Sequence, residues 1–260
     1  MNRAGRAMTD QAAEAAIDSA CRLLRLPTVR ARFADLATSA GREQLSYRVF
    51  LSELLLAECG ERGQRRRERR VREAGFPVDK RLDGFDYSFN PQVNPATINT
   101  LASAAWVAAG EPLCLIGDSG TGKTHLLIGL GIAAAEAGRR VRYIHAARLV
   151  NELVEAADER QLTRTIARYG RIDLLCLDEL GYLELDRRGA ELLFQVLTER
   201  EERASVAVAS NLPFSGWTST FSDPRMCAAI VDRLTFNGHI IETGTTSYRL
   251  THARQRRQPH

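Results

Sequence analysis

Residues 113–124 read LCLIGDSGTGKT and contain the most informative pattern in the chain. Its four apolar residues predict a short buried strand, and residues 117–124 match the pattern G-x-x-x-x-G-K-[ST] of a phosphate-binding loop. Residues 123–137 continue as an apolar helix. Because the pattern requires a strand before the loop and a helix after it, we expect this turn to bind the phosphates of a nucleotide.

The loop offers several kinds of phosphate ligand. Its glycines let backbone amides turn inward, and the helix amino terminus adds partial positive charge. Lys123 is predicted to reach the β- and γ-phosphates, and Thr124 to offer its hydroxyl to Mg²⁺. A glycine-rich turn without a ligand is the alternative. The predicted nucleotide-binding residues are Gly117, Asp118, Ser119, Gly120, Thr121, Gly122, Lys123, Thr124 and His125.

The choice of basic residues makes Lys123 informative. Of the 36 basic residues in the chain, only Lys80 and Lys123 are lysines. A phosphate-binding loop needs the compact ammonium of lysine rather than the wide guanidinium fork of arginine. A lysine at this position in an arginine-rich chain therefore indicates a chemical requirement.

Two further apolar strands end in polar residues. Residues 174–179, LLCLDE, end in Asp178 and Glu179, and residues 205–211, SVAVASN, end in Asn211. We predict that Asp178 holds Mg²⁺ through water and that Glu179 polarises the attacking water. Asn211 is predicted to orient this water beside the γ-phosphate. The alternatives are a solvated strand end and an asparagine that caps a turn.

Two arginines near the end of the chain are further candidates. Arg233 lies close to the end of a predicted helix, and we interpret it as an arginine finger that acts on the ATP of a neighbouring subunit. Arg249, in the sequence SYRL, is predicted to contact the phosphates of the bound nucleotide. A surface arginine is the alternative in a chain of this composition.

The pattern of apolar residues predicts an α/β fold with a helical N-terminal part. From residue 96 onward, short apolar strands alternate with helices, which is typical of a parallel sheet covered on both faces. Residues 10–80 read as helical. We therefore predict a helical DNA- or partner-binding domain at residues 1–78, a linker rich in proline and asparagine at 79–97, and an ATPase domain at 98–260.

Positive charge is concentrated in the N-terminal third. Residues 1–80 contain 16 basic and 11 acidic residues, whereas residues 81–260 contain 20 and 21. The densest basic segment is RRRERRVR, residues 65–72. Arginines at this density on a helix present phosphate contacts in several directions, so we predict contact with duplex DNA, with a solvated helix end as the alternative. The predicted DNA-binding residues are Arg65, Arg66, Arg67, Arg69, Arg70 and Arg72.

The composition argues against several classes of protein. No apolar run approaches the roughly 18 residues that a membrane span needs, and the N-terminus lacks an apolar signal core. We therefore expect a cytoplasmic protein with no membrane partner. The five cysteines form no CxxC pair, so we expect small buried hydrophobic side chains in a reducing compartment rather than a zinc site. They are Cys21, Cys59, Cys114, Cys176 and Cys227.

Taken together, these motifs resemble the IstB-like ATP-binding proteins, the helper ATPases of insertion-sequence transposition. That family is similar to the DnaC-type replicative helicase loaders within the AAA+ class. The resemblance covers nearly the whole chain, including the N-terminal FLSELLLAE. The other matching stretches are LDGFDYSF at 82–89, GDSGTGKTHL at 117–126, LLCLDELGYL at 174–183, ASNLPFSGW at 209–217, IVDRLTFNGHII at 230–241 and SYRL at 247–250.

The resemblance implies an AAA+ P-loop NTPase core with a parallel sheet in the order 5-1-4-3-2. It also implies a small all-helical N-terminal domain and little or no C-terminal lid. The expected activity is Mg²⁺-dependent ATP hydrolysis, with ATP or ADP bound between the subunits of a homo-oligomer. The expected partners are duplex DNA and a cognate transposase. The family pattern falls on Lys123, Thr124, Asp178, Glu179, Asn211, Arg233 and Arg249.

Two other functions remain open from the sequence. A DnaC-like helicase loader would share the fold, but its N-terminal helices would bind a helicase. An ATP-gated scaffold would mainly hold a protein partner, and hydrolysis would only reset it. ATP-dependent binding to duplex DNA without a partner favours the transposition function. Co-purification with a helicase favours the loader, and ATP-dependent assembly without DNA affinity favours the scaffold.

Overall fold

The structure is a computed structural model that describes residues 9–182, 184–221 and 223–248. The chain divides into two compact units, Met1–Arg66 and Arg67–His260. Within the described ranges, no helix is long and apolar enough to cross a membrane.

The first unit is helical. It contains α1 (Asp10–Leu24), α2 (Pro27–Arg42) and the part of α3 (Tyr47–Ala74) that ends at Arg66. Its small core comprises Cys21, Val29 and Leu54. The buried carboxylate of Glu58 accepts hydrogen bonds from the amides of Thr28 and Val29, at 2.8 and 3.1 Å, and so caps the first turn of α2.

The second unit contains five parallel strands: β1 (Leu113–Ile116), β2 (Val141–His145), β3 (Leu174–Asp178), β4 (Ser205–Ser210) and β5 (His239–Glu242). Their order is β2-β3-β4-β1-β5. This is the predicted order 5-1-4-3-2 read from the other edge, so the fold prediction is confirmed. The prediction of little or no lid concerns residues after β5, of which 249–260 lie outside the described ranges.

Helices cover both faces of this sheet. They are α4 (Pro95–Ala102), α5 (Ala105–Ala109), α6 (Lys123–Glu136), α7 (Ala146–Asp158), α8 (Leu162–Gly170), α9 (Arg187–Arg200) and α10 (Pro224–Thr235). Alternate residues of a strand point to opposite faces. Accordingly, Leu174 and Cys176 of β3 join the core layer under α6, whereas Leu175 and Leu177 join the layer under α7, α9 and α10. Strands buried on both faces explain the uninterrupted apolar runs in the sequence.

The division between the units falls earlier than the boundary predicted at residue 78. Helix α3 continues past Arg66 to Ala74, and Val71 and Ala74 belong to the core of the second unit. The segment predicted as a linker, residues 79–97, is also packed against this core. Its residue Val93 is 1% exposed. The prolines therefore interrupt regular structure, but the segment still packs against the core.

The cysteines are free thiols. Cys21, Cys114, Cys176 and Cys227 are buried, as expected of small apolar side chains, and Cys59 on α3 is exposed. Burial raises the pKa of Cys114 to about 12, so this thiol stays protonated and unreactive.

Candidate nucleotide-binding site

The loop between β1 and α6 has a conformation that requires glycine. Gly120 and Gly122 have φ angles of +86° and +100°, which side chains rarely adopt. A Cβ atom at Gly122 would lie 2.6 Å from Cε2 of Phe85, and one at Gly120 would overlap the hydroxyl of Ser247. Both the backbone angles and the close neighbours therefore exclude larger residues at these two positions.

Helix α6 presents its uncapped amino end to this loop. Its first residue is Lys123, and the residue before it is Gly122, which has no side chain to cap the helix. The amino end of a helix favours an anion, because its amides and its dipole present positive charge there. The side chain of Lys123 is 9% exposed, and its Nζ donates to the backbone oxygen of Asp118 at 2.6 Å. The lysine thus lies across the loop where phosphates are predicted to bind.

The segment that follows β5, residues 243–248, holds the loop from one side. The amide of Asp118 donates to the oxygen of Gly244 at 2.9 Å, and the amide of Tyr248 donates to the oxygen of Gly120 at 3.0 Å. Two backbone hydrogen bonds therefore fix the loop to a segment more than a hundred residues away in sequence.

Asn90 joins three parts of the site. Its buried side-chain amide donates to the backbone oxygens of Thr121 and Thr243, both at 2.9 Å. The hydroxyls of Thr121 and Thr243 share a further hydrogen bond of 2.6 Å. Buried polar groups are stable only when paired, so these contacts form a rigid support for the loop. This role of Asn90 was not predicted from the sequence.

The carboxylate of Asp178 lies beside the loop, at the end of β3. It is 2% exposed, its Oδ2 accepts from the hydroxyl of Tyr143 at 2.6 Å, and its Oδ1 accepts from the hydroxyl of Thr124 at 3.3 Å. Burial, together with the hydrogen bond to Asp178, raises the pKa of Tyr143 well above its ordinary value. Tyr143 therefore stays protonated and keeps donating.

The oxygen ligands in this corner fit Mg²⁺. A carboxylate and a hydroxyl are hard donors, and Mg²⁺ in nucleotide sites is held by few protein groups together with phosphates and water. Thr124 and Asp178 are hydrogen-bonded to each other, so both lie within reach of one cation. Their assignment as metal ligands stays a prediction.

Glu179 has a strained backbone and a histidine partner. Its φ angle is +63°, in a region that non-glycine residues occupy rarely and often at functional sites. Its Oε2 lies 3.2 Å from Nδ1 of His145, the last residue of β2. His145 was not among the predicted site residues, although a polar residue at the carboxyl end of the apolar strand VRYIH was the signal that could have found it.

Asn211 lies beside the segment that follows the acidic pair. A Cβ atom at Gly181 would overlap Oδ1 of Asn211, so this oxygen directly faces the backbone two residues after Glu179. The same oxygen is buried and has no hydrogen-bond partner among the described residues. The role of orienting a water molecule stays a prediction for Asn211.

A cavity of about 390 Å³ adjoins the phosphate loop. Three aromatic residues line it together with His125, and the rings form edge-on pairs: Phe85 with His125, and Phe89 with Tyr248. Nε2 of His125 also lies 2.7 Å from the backbone oxygen of Arg81. The size and the apolar rings suit a nucleoside, but of these four residues only His125 was predicted to bind the nucleotide.

Arg233 does not join the other predicted residues. It lies near the end of α10, just before β5 begins, whereas the phosphate loop follows the carboxyl end of β1. The two sites are therefore at opposite edges of the parallel sheet. The guanidinium of Arg233 is 2.9 Å from Glu201 and lies 4.6 Å from the ring centre of Phe194. Arg249 lies outside the described residues.

The fold and this site define an ATP-binding protein of the AAA+ class. Three features are typical of this class: the sheet order, the phosphate loop after β1 and the acidic end of β3. The chain belongs to a particular family of that class, the IstB-like ATP binding proteins, whose family model matches residues 19–256.

Relatives from bacterial insertion sequences match most of the chain. It is 38% identical over 227 residues to an insertion sequence ATP-binding protein of Sinorhizobium fredii, covering 87% of this chain and 76% of that protein. It is 37% identical over 221 residues to the IS21 ATP-binding protein of Pseudomonas aeruginosa, covering 85% and 83%.

Solved structures of the replication initiator DnaA share the fold. AMPPCP-bound DnaA from Aquifex aeolicus gives a TM-score of 0.54 at 21% identity, over 65% of this chain and 51% of that one. DnaA bound to AMPPCP and single-stranded DNA gives 0.52 at 21% identity, over 65% and 50%. The chain thus spans about half the length of these two DnaA chains.

We predict that Lys123→Ala weakens ATP binding by at least about tenfold, because the phosphates lose a charged hydrogen-bond donor. Titration of a fluorescent ATP analogue measures this affinity. Arg203→Ala, which removes an exposed cation elsewhere in the second unit, serves as the matched control and should bind like the wild type. Equal affinities for the wild type and Lys123→Ala would contradict the assignment of the loop.

Proposed function

We propose that this protein is a Mg²⁺-dependent ATPase that assembles on duplex DNA with ATP and assists a transposase. The observation that carries the ATPase part is the hydrogen bond between Asp178 and Thr124, which joins the acidic strand end to the phosphate loop. Glu179 follows directly in sequence. The transposition part is supported by the family and by its relatives from insertion sequences.

In this proposal the chain stabilises the charge of the triphosphate from two sides. Lys123 and the amino end of α6 face the phosphates, and Thr124 and Asp178 hold Mg²⁺. When bound, Mg²⁺ supplies positive charge to the phosphate oxygens. These groups act mainly by position and charge, because little covalent chemistry on the protein is needed for phosphoryl transfer.

Glu179 is the proposed general base. It accepts a proton from water while the water oxygen bonds to the γ-phosphorus and the bond from phosphorus to the bridging oxygen breaks, which releases ADP and phosphate. The carboxylate of Glu179 is 57% exposed and contacts His145, so the base is accessible to solvent in this state. Asn211 orients the same water through its amide.

Glu179→Gln should retain ATP binding, because Lys123, Thr124 and Asp178 remain. Hydrolysis should fall by at least the roughly 10²-fold typical of losing a general base. Steady-state release of phosphate and equilibrium binding of ATP are measured on the same preparation. Loss of ATP binding together with hydrolysis would instead assign Glu179 a structural role.

Arg233 is proposed to act on the ATP of a neighbouring subunit. Its position at the edge of the sheet opposite Lys123 supports this, since within one chain the two residues belong to different edges. The ion pair with Glu201 involves a partly exposed carboxylate, and such pairs are worth at most about 1 kcal/mol. Exchange of Glu201 for a triphosphate is therefore energetically accessible.

We expect Arg233→Ala to bind ATP normally and to hydrolyse it poorly. Mixing it with Lys123→Ala should restore part of the activity, because one subunit keeps an intact pocket and its neighbour keeps the arginine. ATPase rates across a series of mixing ratios test this. Two inactive variants that stay inactive at every ratio would rule out action between subunits.

The arginine segment of α3 is proposed to contact DNA phosphates. Arg65 and Arg66 belong to the first unit, and the other four arginines belong to the second. Arg65 is held by Thr28 at 3.1 Å, and the half-buried Arg70 lies against Gly138. Arg66, Arg67, Arg69 and Arg72 are exposed on the helix, and Arg69 pairs with Glu73 at 3.6 Å.

Replacing these four exposed arginines with alanine should weaken binding to all duplex sequences about equally, because phosphate contacts carry no sequence information. The dependence of log affinity on log salt should flatten by about one unit for each arginine that pairs with a phosphate in the wild type. Duplex binding is titrated across salt concentrations with ATP present.

The control for this experiment replaces four exposed arginines of the second unit, Arg187, Arg188, Arg203 and Arg225, so the net charge changes equally. The control should keep the wild-type salt dependence more closely than the α3 variant does. Identical affinities and slopes for the wild type and the α3 variant would remove this segment from the DNA-binding surface.

A further inference from the structure

Helix α8 and the residues that flank it carry four arginines that the function proposed above does not use. Arg164 and Arg168 lie one turn apart on α8, whereas Arg160 precedes the helix and Arg171 directly follows it. All four side chains are exposed. Residues 160–171 contain no acidic residue, although the segment 81–260 as a whole is almost neutral. We name these four residues the α8 stripe.

Most of the α8 stripe is not neutralised by the protein itself. Arg168 forms an ion pair with Glu152. Within the described ranges, Arg160, Arg164 and Arg171 form no ion pair. The stripe borders a surface groove of about 780 Å³, which is lined by these four arginines together with Gln161, Thr163, Thr165 and Ala167.

The other face of α8 fixes the helix in place. Leu162, Ile166 and Tyr169 pack against the core under α7 and α9. The hydroxyl of Tyr169 donates to Glu152 at 2.7 Å. The helix is therefore held by its apolar face and by a hydrogen bond, and the arginines are presented from a rigid base.

A buried arginine anchors the end of α8 to the sheet. Arg200, which is 1% exposed, donates to the backbone oxygen of Tyr169 and, at 2.7 Å, to that of Ser205, the first residue of β4. Burial lowers the pKa of Arg200 to about 10, so it remains charged at neutral pH. Because β4 starts there, the end of α8 lies at the edge of the sheet opposite the phosphate loop. The groove is thus separate from the nucleotide site.

The positive field extends beyond the stripe. Burial raises the pKa of Tyr169, whereas the positive charges of Arg168, Arg142 and Arg148 lower it. All three arginines are therefore close enough to Tyr169 to affect its pKa. Arg142 belongs to β2 and Arg148 to α7. The basic surface therefore continues from α8 toward the edge of the sheet.

We propose that the α8 groove binds the phosphate backbone of duplex DNA, as a second contact surface within the ATPase domain. This inference rests on the proposed DNA-binding function. All four arginines line the same groove, so it offers several guanidinium groups to neighbouring phosphates. Guanidinium forks bind phosphate oxygens in pairs, and threonine and glutamine side chains add further phosphate contacts.

The groove lining favours duplex DNA over other acidic partners. Protein interfaces have an apolar core, whereas Ala167 is the only apolar residue among those that line this groove. Sites for single strands stack bases on aromatic rings, and none of the lining residues is aromatic. The lining therefore fits a surface that contacts the phosphate backbone of DNA and does not recognise bases.

The test compares Arg164→Ala/Arg171→Ala with the control Arg187→Ala/Arg225→Ala in the full-length protein. The control removes the same charge from the starts of α9 and α10, at the edge of the sheet that carries the phosphate loop. Binding of a fluorescent duplex is titrated from 50 to 300 mM salt, roughly the range in which counterion release is measurable, with ATP present. Binding of the ATP analogue and the Tm report intact folding.

We expect the α8 variant to lose at least about tenfold in duplex affinity at 0.1 M salt and to flatten the salt slope by about two units. Arg164→Lys/Arg171→Lys, which keeps the charge, should retain most of the slope. The control and ATP binding should match the wild type.

Three results would overturn the inference. If the wild type binds duplex DNA and the α8 variant has the same duplex affinity and salt slope, the groove is not part of the DNA-binding surface. The proposed function would then still stand. Loss of single-strand binding alone would assign the groove to another ligand. A wild type that binds no duplex with ATP would refute the proposed function itself, and this inference with it.

Discussion

The nucleotide site depends on one buried charge, the carboxylate of Asp178. Such a group is costly to bury unless donors surround it. Here the donors come from three elements: the hydroxyl of Tyr143 on β2, the hydroxyl of Thr124 on α6 and the amide of Glu179 after β3. Satisfying this one carboxylate therefore fixes the phosphate loop, the edge strand and the strained turn relative to one another.

The parts of the site that lie close together in sequence are predictable from it. The loop at residues 117–124 follows a strand and begins a helix, and each of these features leaves a local pattern. The strand order is not local, and it came from the resemblance to a family. Asn90 could not have been assigned in this way, because it joins Thr243 across 153 positions and nothing near it in sequence indicates this pairing. His145 could be recognised as a polar strand end, but its contact with Glu179 could not be predicted.

The domain boundary shows a different limit of sequence reasoning. The proline-rich segment 79–97 was interpreted as a linker, since prolines and asparagines favour irregular backbone. Irregular backbone is not the same as exposed backbone. Phe85 and Val93 are buried, and Phe85 lies against Gly122 of the phosphate loop. The composition correctly indicated the absence of long helices and strands, but burial is determined by distant residues.

The hydrogen bonds of Asn90 also constrain the order in which the site forms during synthesis. The support of the loop needs Asn90, Thr121 and Thr243, and the segment 243–248 adds the last two backbone bonds. A nascent chain that has left the ribosome only as far as β4 contains every residue of the phosphate-loop motif but lacks the segment that holds it. The full set of hydrogen bonds that supports the loop can therefore form only after β5 and the segment that follows it have been synthesised.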